Sequence, residues 1–383
     1  SDSRDSALNW YTRRLAGAIA SQGVEVSVVA PIGDGASPLP WQDGNVAVIP
    51  CYRRGSVIAP LNMITGAAKT RAEIIHVQHE LFAYGGLATA TVLPFCLRHL
   101  RRRGLKVLTT IHGVIALDTI TPEFIRANRI TGPIRGVRYA WRQLIRNVAL
   151  ASDAIHVHER YLRDLLIEQY SIDGHVIRVI PMGIDIKTNA PPRELARAHL
   201  GIPPDAEVAL FFGYLSTYKG LAELLADIPT TLARRSKLHF LLAGDAPARL
   251  RKAIDIVELS RLSRVYGDRV HITGFVPDRT IPQLFAAADV LLLPYTVVMS
   301  ASGPMALAAS HGLPVLLSNK FSGSYPAAPG MFVPERGRIA DAVCSFFQDP
   351  ALQAASREFV RKLSAERAWP EVATAFIDAY ENL

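Results

Sequence analysis

One stretch of the chain, Val290 to Asn319, constrains the fold more than any other. It begins with the apolar run Val290 to Leu293 and ends with a second apolar run, Pro314 to Leu317. Between them, Ser302-Gly303-Pro304 has the composition of a helix start, and Gly312 stands where a helix would end. The stretch therefore predicts a strand, loop, helix and strand in succession, with both strands buried in a parallel sheet.

The predicted helix start lies at the carboxyl end of a strand. In open α/β sheets that edge is where ligands bind. The free N–H groups and the positive end of the helix dipole favour an anion there. We therefore expect Ser302 and Gly303 to bind a phosphate group.

Length and charge narrow the class of protein. A chain of 383 residues suggests two or three domains, and 49% hydrophobic with 20% charged residues is a globular composition. Residues 1–188 contain 22 Lys and Arg against 15 Asp and Glu, whereas the remainder is nearly balanced, at 20 against 19. The first half therefore carries a basic field, which favours an anionic partner there.

The cysteines and the apolar runs bear on location. Three cysteines without CxxC spacing predict reduced thiols in a cytoplasmic protein. No apolar run approaches the ~18 residues needed to cross a membrane, and no signal peptide is recognisable. The chain opens on a helical pattern, whereas a wound α/β domain normally starts on a strand, so we expect a first strand to be missing before Ser1.

Strand and helix patterns alternate along the whole chain, which predicts parallel sheets with helices on both faces. The predicted strands are residues 24–30, 46–51, 74–80, 106–112, 154–158, 176–181, 207–215, 238–243, 270–276, 290–293, 314–318 and 331–334. A polar helix is predicted around Ala248 to Ser263. The crowding of Pro and Gly between Gly183 and Pro204 predicts a linker.

The predicted architecture is α/β, with two Rossmann-like, doubly wound parallel-sheet domains facing across a cleft. The first domain is expected to span residues 1–188 and the second residues 189–368. An amphipathic helix at 369–383 can pack on either domain, including back on the first.

A second device suited to phosphate begins the predicted second domain. Gly213 permits close approach of a ligand to the backbone, and Lys219 stands at the start of the next helix. A tight turn with an exposed lysine would give the same pattern. Because the Ser302-Gly303 helix start belongs to the same domain, the two devices together favour diphosphate binding.

Several short motifs in the second half occur in a characteristic order. They are Phe211-Phe212-Gly213-Tyr214 through Lys219-Gly220, Leu241 to Gly244, Ile272 to Val276, Leu284 to Val290, and Leu293-Pro294-Tyr295 through Gly312-Leu313-Pro314-Val315. With this order and spacing, residues 207–319 resemble the second domain of retaining GT-B-fold glycosyltransferases of the large group 1, or family 4, type. The first half resembles that family more loosely, through Ile75 to Glu80, Thr110 to Gly113 and Val179 to Asp185.

The resemblance implies a nucleotide-sugar site in the second domain. The donor-binding residues that it implies are Gly213, Tyr214, Lys219, Gly244, Phe275, Val276, Ser302 and Gly303. It also implies that Lys219 and His112 are catalytic, with His112 contacting the donor sugar from the end of a first-domain strand. A histidine that only caps the end of that strand is the alternative.

Two departures mark a divergent branch of this family. Its members usually carry two glutamates eight positions apart around the helix, one for the hydroxyls of the donor sugar and one for the ribose. In this chain the two positions are Met299 and Leu307. An arginine that is common just after the Phe-Gly turn is also absent, because Tyr214 and Leu215 stand there.

Polar residues also end the strand that precedes His112. Gln78 and Glu80 are predicted to bind the acceptor at the same edge, although hydrogen bonds to the adjacent loop would also explain them. His156 and His158 alternate on one strand without a metal-ligand pattern and are interpreted as structural. No metal site is predicted.

Four arginines recur at helical spacing in the first half, at Arg135, Arg138, Arg142 and Arg146. With residues 101–103 they could form a docking surface for anionic lipid head groups, at the inner face of the cytoplasmic membrane, or for a lipid pyrophosphate acceptor. A solvated basic face of a helix that covers the sheet is the alternative. No aromatic-interleaved basic strand accompanies them, which argues against nucleic acid.

The predicted function is a retaining, metal-independent glycosyltransferase. It would move a sugar from a UDP- or GDP-linked donor to a hydroxyl of a glycan or lipid-linked acceptor, with no cofactor beyond that donor. The resemblance implies attack on the face that the leaving group occupies, with the leaving phosphate accepting the proton. Two alternatives stay open. One is an inactive scaffold of the same fold, and the other is an epimerase, for which His112 with Glu80 is the nearest acid and base pair.

Overall fold

The structure is a computed structural model, and it describes residues 7–33, 39–80, 84–127, 130–186, 190–245 and 256–383. The chain divides into two compact units. Unit 1 comprises Ser1–Gly183, Met299–Ala301 and Trp369–Leu383, and unit 2 comprises Ile184–Val298 and Ser302–Ala368. The predicted boundary at 188 lies outside the described residues, and the observed division precedes it.

Unit 1 contains two sheets. Its strands are β1 (Val26–Pro31), β2 (Trp41–Asp43), β3 (Val46–Tyr52), β4 (Ile74–His79), β5 (Lys106–Ile111), β6 (Ala154–Val157) and β7 (Ile177–Val179). One sheet is parallel with the order β4-β5-β6-β7, and the other has the order β1-β3-β2, with only β2 antiparallel. The sequence does not predict β2, because three residues are too few to show a period.

Helices cover both faces of the parallel sheet of unit 1. They are α1 (Ala7–Ala20), α2 (Ala59–Ala67), α3 (Leu87–Arg102), α4 (Pro122–Ala127), α5 (Ile134–Leu150) and α6 (Arg160–Glu168). In β5, Leu108 packs with Tyr11 and Leu15 of α1, whereas Ile111 packs with the apolar sides of α5 and α6. Leu108 and Ile111 thus point to opposite faces of the sheet, as the pleat requires for residues an odd number of positions apart.

Unit 2 is built on one parallel sheet. Its strands are β8 (Glu207–Phe212), β9 (Leu238–Ala243), β10 (Val270–Gly274), β11 (Val290–Leu293) and β12 (Val315–Leu317), in the order β10-β9-β8-β11-β12. The predicted strand, helix and strand between Val290 and Asn319 are confirmed. All residues of β9 and β11 are buried, which is why they have no polar alternation.

The helices of unit 2 lie between and after these strands. They are α7 (Arg193–Leu200), α8 (Leu221–Arg234), α9 (Ile256–Val265), α10 (Ile281–Ala287), α11 (Gly303–His311), α12 (Arg338–Gln348) and α13 (Pro350–Glu366). Part of the polar helix predicted around Ala248 to Ser263 lies outside the described residues, and its described part is helical, in α9. The strand predicted at 331–334 is wrong, because Phe332 forms only an isolated bridge to Ser318.

The last helix, α14 (Trp369–Glu381), groups with unit 1. Trp369, Val372 and Phe376 are buried in one cluster with Tyr11 and Leu15 of α1. The helix is therefore amphipathic, as predicted, and its apolar side packs within unit 1.

None of the helices in the described ranges is both long and apolar enough to span a bilayer. The three cysteines are free thiols, and Cys96 and Cys344 are buried.

Candidate functional site

Two glycines end the neighbouring strands β8 and β9 and touch each other. The N–H of Gly213 donates to the carbonyl oxygen of Ala243 at 2.9 Å. A methyl group on Gly244 would overlap the carbonyl group of Gly213, and one on Gly213 would lie 2.6 Å from Nζ of Lys219. Their φ angles of 115° and 148° are also positive. Both positions therefore require glycine, which lets the ends of β8 and β9 and the side chain of Lys219 approach one another closely.

Lys219 is a buried cation. The residue is only 6% exposed, so the alternative of a turn with an exposed lysine does not hold. Among the described residues, its ammonium contacts the ring of Tyr295, 5.6 Å from the centroid, and has neither a carboxylate nor a hydrogen-bond acceptor. Burial lowers the pKa of Lys219. A buried, unpaired ammonium destabilises a fold, and an anionic ligand would remove that cost.

The start of α11 lies beside this ammonium. Ser302 caps the helix, its hydroxyl accepting from the N–H of Met305 at 3.3 Å and lying 3.5 Å from the hydroxyl of Tyr295. Pro304 has no N–H and lies 3.5 Å from the methyl position of Gly213. No described residue accepts a hydrogen bond from the N–H of Ser302 or Gly303. The structure therefore brings together the two features that the sequence predicts to bind phosphate, which are Gly213 with Lys219 and the start of α11.

Exposed aromatic residues follow two strands at the same edge of the sheet. Tyr214 follows β8 and is 64% exposed, and Phe275 follows β10 and is 61% exposed. The next residue, Val276, is half-buried. Large apolar rings exposed at a ligand edge suit stacking against a flat ligand such as a base.

The two positions where the family usually has glutamate lie in different surroundings. Met299 groups with unit 1, where its carbonyl oxygen accepts from the N–H of Val114 at 2.8 Å and Ser300 forms an antiparallel bridge with Gly113. Leu307 is half-buried on α11. Neither position supplies a carboxylate.

In unit 1, His112 follows β5 and both of its ring nitrogens have partners. Nε2 lies 2.9 Å from the side-chain amide of Gln78, and Nδ1 lies 3.2 Å from Nε2 of His158. The ring of Tyr11 stands edge-on to it at 4.9 Å. The structure thus brings Gln78 and His112 together, whereas Glu80 lies exposed just after β4.

Residues that the sequence analysis set aside surround His112. His156 and His158, interpreted as structural, are buried, and so are Tyr11, His79 and Thr110. The sequence does contain a signal for this cluster, because polar residues recur at every second position along the buried strands β4, β5 and β6. Their contact became evident only from the register that pairs Gln78 with Thr110 and Thr110 with His156.

Unit 1 should lose stability as the pH falls from about 6.5 to about 4. Burial lowers the pKa of His79 and His156 to about 4 and, with neighbouring histidines, that of His112 to about 3. In the unfolded chain these histidines bind protons near pH ~6.5. Below that pH the free energy of unfolding therefore falls by up to ~1.4 kcal/mol per pH unit for each histidine, and above it their contribution to stability is fully present.

Melting temperatures measured between about pH 7.5 and about pH 5 check this dependence. His79→Gln should flatten the profile, whereas the exposed His175→Gln should not. A wild-type profile without slope below neutral pH contradicts the prediction.

The four arginines predicted to share one face lie on α5, whose other side buries Val137, Trp141 and Ile145. Two of them are engaged within unit 1. Arg138 donates to the carbonyl oxygens of Asp118 and Ile120 at 3.0 and 3.1 Å, and Arg142 donates to Oγ of Ser171 at 2.5 Å. Arg135 is exposed. The predicted amphipathic helix is confirmed.

Within the parts of the chain that the structure describes, no three His, Cys, Asp or Glu side chains are arranged to hold a metal ion.

Comparison with protein families identifies both units. The family model described as Glycosyltransferase Family 4 matches residues 8–188, and the model described as Glycosyl transferases group 1 matches residues 206–349. The chain belongs to the group 1 glycosyltransferases. The resemblance inferred from the order of its motifs is therefore confirmed.

Curated relatives within this glycosyltransferase family match part of the chain. D-inositol 3-phosphate glycosyltransferase of Xylanimonas cellulosilytica is 26% identical over 256 residues, which are 61% of this chain and 58% of that protein. The chain thus spans little more than half the length of this curated relative.

Solved structures match the group 1 chain over nearly its whole length. Sucrose-phosphate synthase from Thermosynechococcus elongatus has a TM-score of 0.73 at 19% identity, covering 98% of this chain and 93% of that one. Anabaena HepE in complex with UDP-glucose has a TM-score of 0.69 at 17% identity, covering 99% and 97%. At such identities the likeness shows the fold, which is the GT-B fold with two Rossmann-like domains.

Proposed function

We propose that this chain is a glycosyltransferase that takes a sugar from a nucleotide diphosphate sugar and transfers it to a hydroxyl of a glycan or lipid-linked glycan. The observation that supports this most is the buried ammonium of Lys219, which has no counter-ion among the described residues. Two backbone N–H groups at the start of α11, those of Ser302 and Gly303, point to the same ligand chemistry. A diphosphate supplies the negative charge that both favour.

In the proposed reaction, the bond between the anomeric carbon and the diphosphate breaks, and a bond between that carbon and the acceptor oxygen forms. Negative charge grows on the leaving diphosphate, where Lys219 and the N–H groups of Ser302 and Gly303 stabilise it. An oxygen of the leaving phosphate takes the proton of the acceptor. Attack on the face that the diphosphate leaves retains the anomeric configuration.

The side chains around α11 support this route over a double displacement. A double displacement needs a nucleophile such as a carboxylate, and Met299 and Leu307 provide none. Because the ammonium of Lys219 and the N–H groups at the start of α11 would offset part of the charge of the diphosphate, we propose that transfer needs no metal ion.

The remaining donor contacts are proposed from the strand ends of unit 2. Tyr214, Phe275 and Val276 would contact the base, and Gly213 with Gly244 would let the backbone approach the phosphates. We propose a UDP- or GDP-linked donor, and the UDP-glucose complex of HepE, a neighbour in fold, supports the first.

On unit 1, we propose that His112 contacts the donor sugar and that Gln78 and Glu80 bind the acceptor. His112 then has to exchange one of its two present hydrogen bonds for a bond to the ligand, and the bond to the side chain of Gln78 is the one that a rotation can release.

Product analysis with UDP-, GDP- and ADP-sugars, with and without hydroxyl acceptors, separates this proposal from its alternatives. A retaining transferase forms a product only when an acceptor is present, and the product keeps the anomeric configuration of the donor. An inactive scaffold forms none, and an epimerase alters the donor sugar without any acceptor. A chelator should leave the transfer rate unchanged.

Gly303→Ala should weaken nucleotide diphosphate binding without weakening the fold. A methyl group at this position meets no atom within 4 Å, and alanine is the better helix former. It would, however, occupy the space proposed for a phosphate, so Kd for UDP or GDP should rise about tenfold, or ~1.4 kcal/mol. Gly17→Ala in α1, which is equally open, is the control. An unchanged Kd places the phosphates elsewhere.

We further propose that unit 1 contacts an anionic lipid surface through α5. The exposed Arg135 and Tyr139, the latter 65% exposed, support this, as does the positive charge of residues 1–188. Sedimentation with phosphatidylglycerol vesicles should show salt-sensitive binding that Arg135→Glu weakens, whereas Arg264→Glu on α9 of unit 2 should have no effect. Binding that is absent, or equally strong in both variants, contradicts the proposal.

A further inference from the structure

Six polar side chains line one face of the strands β4, β5 and β6 and of the residues just after β5 and β6. They are His76, Gln78, Thr110, His112, His156 and His158. Contacts of 2.6 to 3.2 Å, each between two polar atoms that are nitrogen or oxygen, link them into one hydrogen-bond network. The hydroxyl of Tyr380 and the carbonyl of Ile180 end this network.

The carbonyl oxygen of Ile180 sets the direction of donation along these hydrogen bonds, because a carbonyl oxygen can only accept. It lies 2.7 Å from Nε2 of His156, so that nitrogen carries a hydrogen. Burial lowers the pKa of His156 to about 4, so the ring is neutral near pH 7 and its Nδ1 has no hydrogen. The hydroxyl of Thr110, 2.8 Å from that Nδ1, therefore donates to it.

The hydrogen bond from Thr110 to His156 also fixes the hydrogen bonds of β4. Because Thr110 gives its only hydrogen to His156, its oxygen accepts from Nε2–H of His76 at 2.6 Å. Burial also lowers the pKa of His76, so its Nδ1 accepts from the hydroxyl of Tyr380 at 2.7 Å. Because Nε2 of His76 carries a hydrogen, it cannot accept from an amide nitrogen at 3.2 Å. The end of the Gln78 amide that faces it is therefore the oxygen, which shares that hydrogen with Thr110.

This orientation exchanges the two ends of the amide of Gln78 relative to their placement in the structure. The two orientations have the same shape, and only the hydrogen bonds distinguish them. The amide nitrogen then faces Nε2 of His112 at 2.9 Å and donates to it. Burial holds the His112 ring neutral, so its hydrogen lies on Nδ1, which donates to Nε2 of His158 at 3.2 Å.

We propose that Thr110, His76 and Gln78 are positioning residues, which transmit the direction set at Ile180 and hold His112 in its Nδ1–H tautomer. In this tautomer, the ring atom of His112 that a ligand can contact is Nε2, which has a lone pair and no hydrogen. His112 therefore accepts a hydrogen bond from a hydroxyl, which takes the place of the Gln78 amide, and it does not donate to a phosphate. That the hydroxyl belongs to a sugar rests on the proposed function, whereas the tautomer does not.

The tautomer can be measured on the free protein near pH 7, by nitrogen NMR after labelling with nitrogen-15 histidine. His112→Gln identifies the two ring signals by their loss. We expect a protonated Nδ1 and an unprotonated Nε2. A protonated Nε2, or a ring protonated on both nitrogens, overturns the proposal. No donor or acceptor is present, so this result does not depend on whether the chain transfers a sugar.

Two hydroxyl deletions separate positioning from packing. Thr110→Val removes the central link, so a second tautomer of His112 should become populated, whereas Thr110→Ser should keep the single Nδ1–H form. Tyr380→Phe removes a hydroxyl at the other end and should leave His112 unchanged, because the direction is set at Ile180. An unchanged single tautomer in Thr110→Val, or in Thr110→Ala should the valine variant not fold, contradicts the positioning role.

Discussion

Lys219→Met should remove most of the binding of UDP or GDP and leave the protein at least as stable as before. The ammonium is buried without a carboxylate or acceptor among the described residues, so the fold gains nothing from its charge. A diphosphate would gain a charge-assisted hydrogen bond of about 1.5–3 kcal/mol, so Kd should rise about 10- to 100-fold. Methionine keeps the length and apolar volume of the lysine stem.

The combination of weaker binding with an unchanged or higher melting temperature is the diagnostic result. Titration calorimetry gives the affinity, and thermal unfolding without ligand gives the stability. Lys320→Met, which removes an exposed cation from the same unit, is the matched control and should change neither. A melting temperature that falls in Lys219→Met, with affinity preserved, would make Lys219 a structural residue.

Gly244→Ala should destabilise unit 2 by about 3–5 kcal/mol and lower its melting temperature by roughly 10 °C. The new methyl group would overlap the carbonyl group of Gly213, which is backbone and cannot move aside without breaking the pairing of β8 with β9. The φ of 148° adds strain for any residue with a side chain. The same displacement would move Gly213 away from Lys219, so nucleotide binding should be lost as well.

Gly274→Ala is the matched control for this prediction. Gly274 ends the adjacent strand β10 with a φ of 66°, but a methyl group there meets no atom within 4 Å. It should therefore show only the cost of the backbone conformation, about 1 kcal/mol. Thermal unfolding of the two variants separates overlap from conformational strain, and equal losses would contradict the proposed contact between Gly244 and Gly213.

Strands and helices of unit 2 were predictable where capping residues, prolines and glycines mark the ends of buried apolar runs and of helices. The Ser302 cap and Gly312, with a φ of 64°, bracket α11 as the sequence indicates. The linker predicted between Gly183 and Pro204 begins where the two units divide, at Gly183 and Ile184, but its later part is a helix. Pro192 and Gly201 there bracket α7, which Arg197 ties to Asp289 at 2.9 Å. Proline before and glycine after a short segment therefore indicate a helix as well as a linker.

The phosphate-suited residues of unit 2 were also predictable, because parallel strands bring their carboxyl ends to one edge. What the sequence could not provide was the burial of Lys219, which depends on Tyr295 and on the direct contact of two glycines. The surroundings of His112 were even harder to predict from the sequence. They depend on strand register, which no local pattern specifies for polar residues on a buried face.

A crystal structure with UDP or GDP bound would show whether Lys219 and the start of α11 hold the diphosphate. We expect diphosphate oxygens at hydrogen-bonding distance, about 2.7–3.2 Å, from Nζ of Lys219 and from the N–H of Ser302 or Gly303. We also expect the base to lie against Tyr214 or Phe275. A nucleotide bound elsewhere, with Lys219 still against Tyr295 and no phosphate near the start of α11, would contradict this expectation.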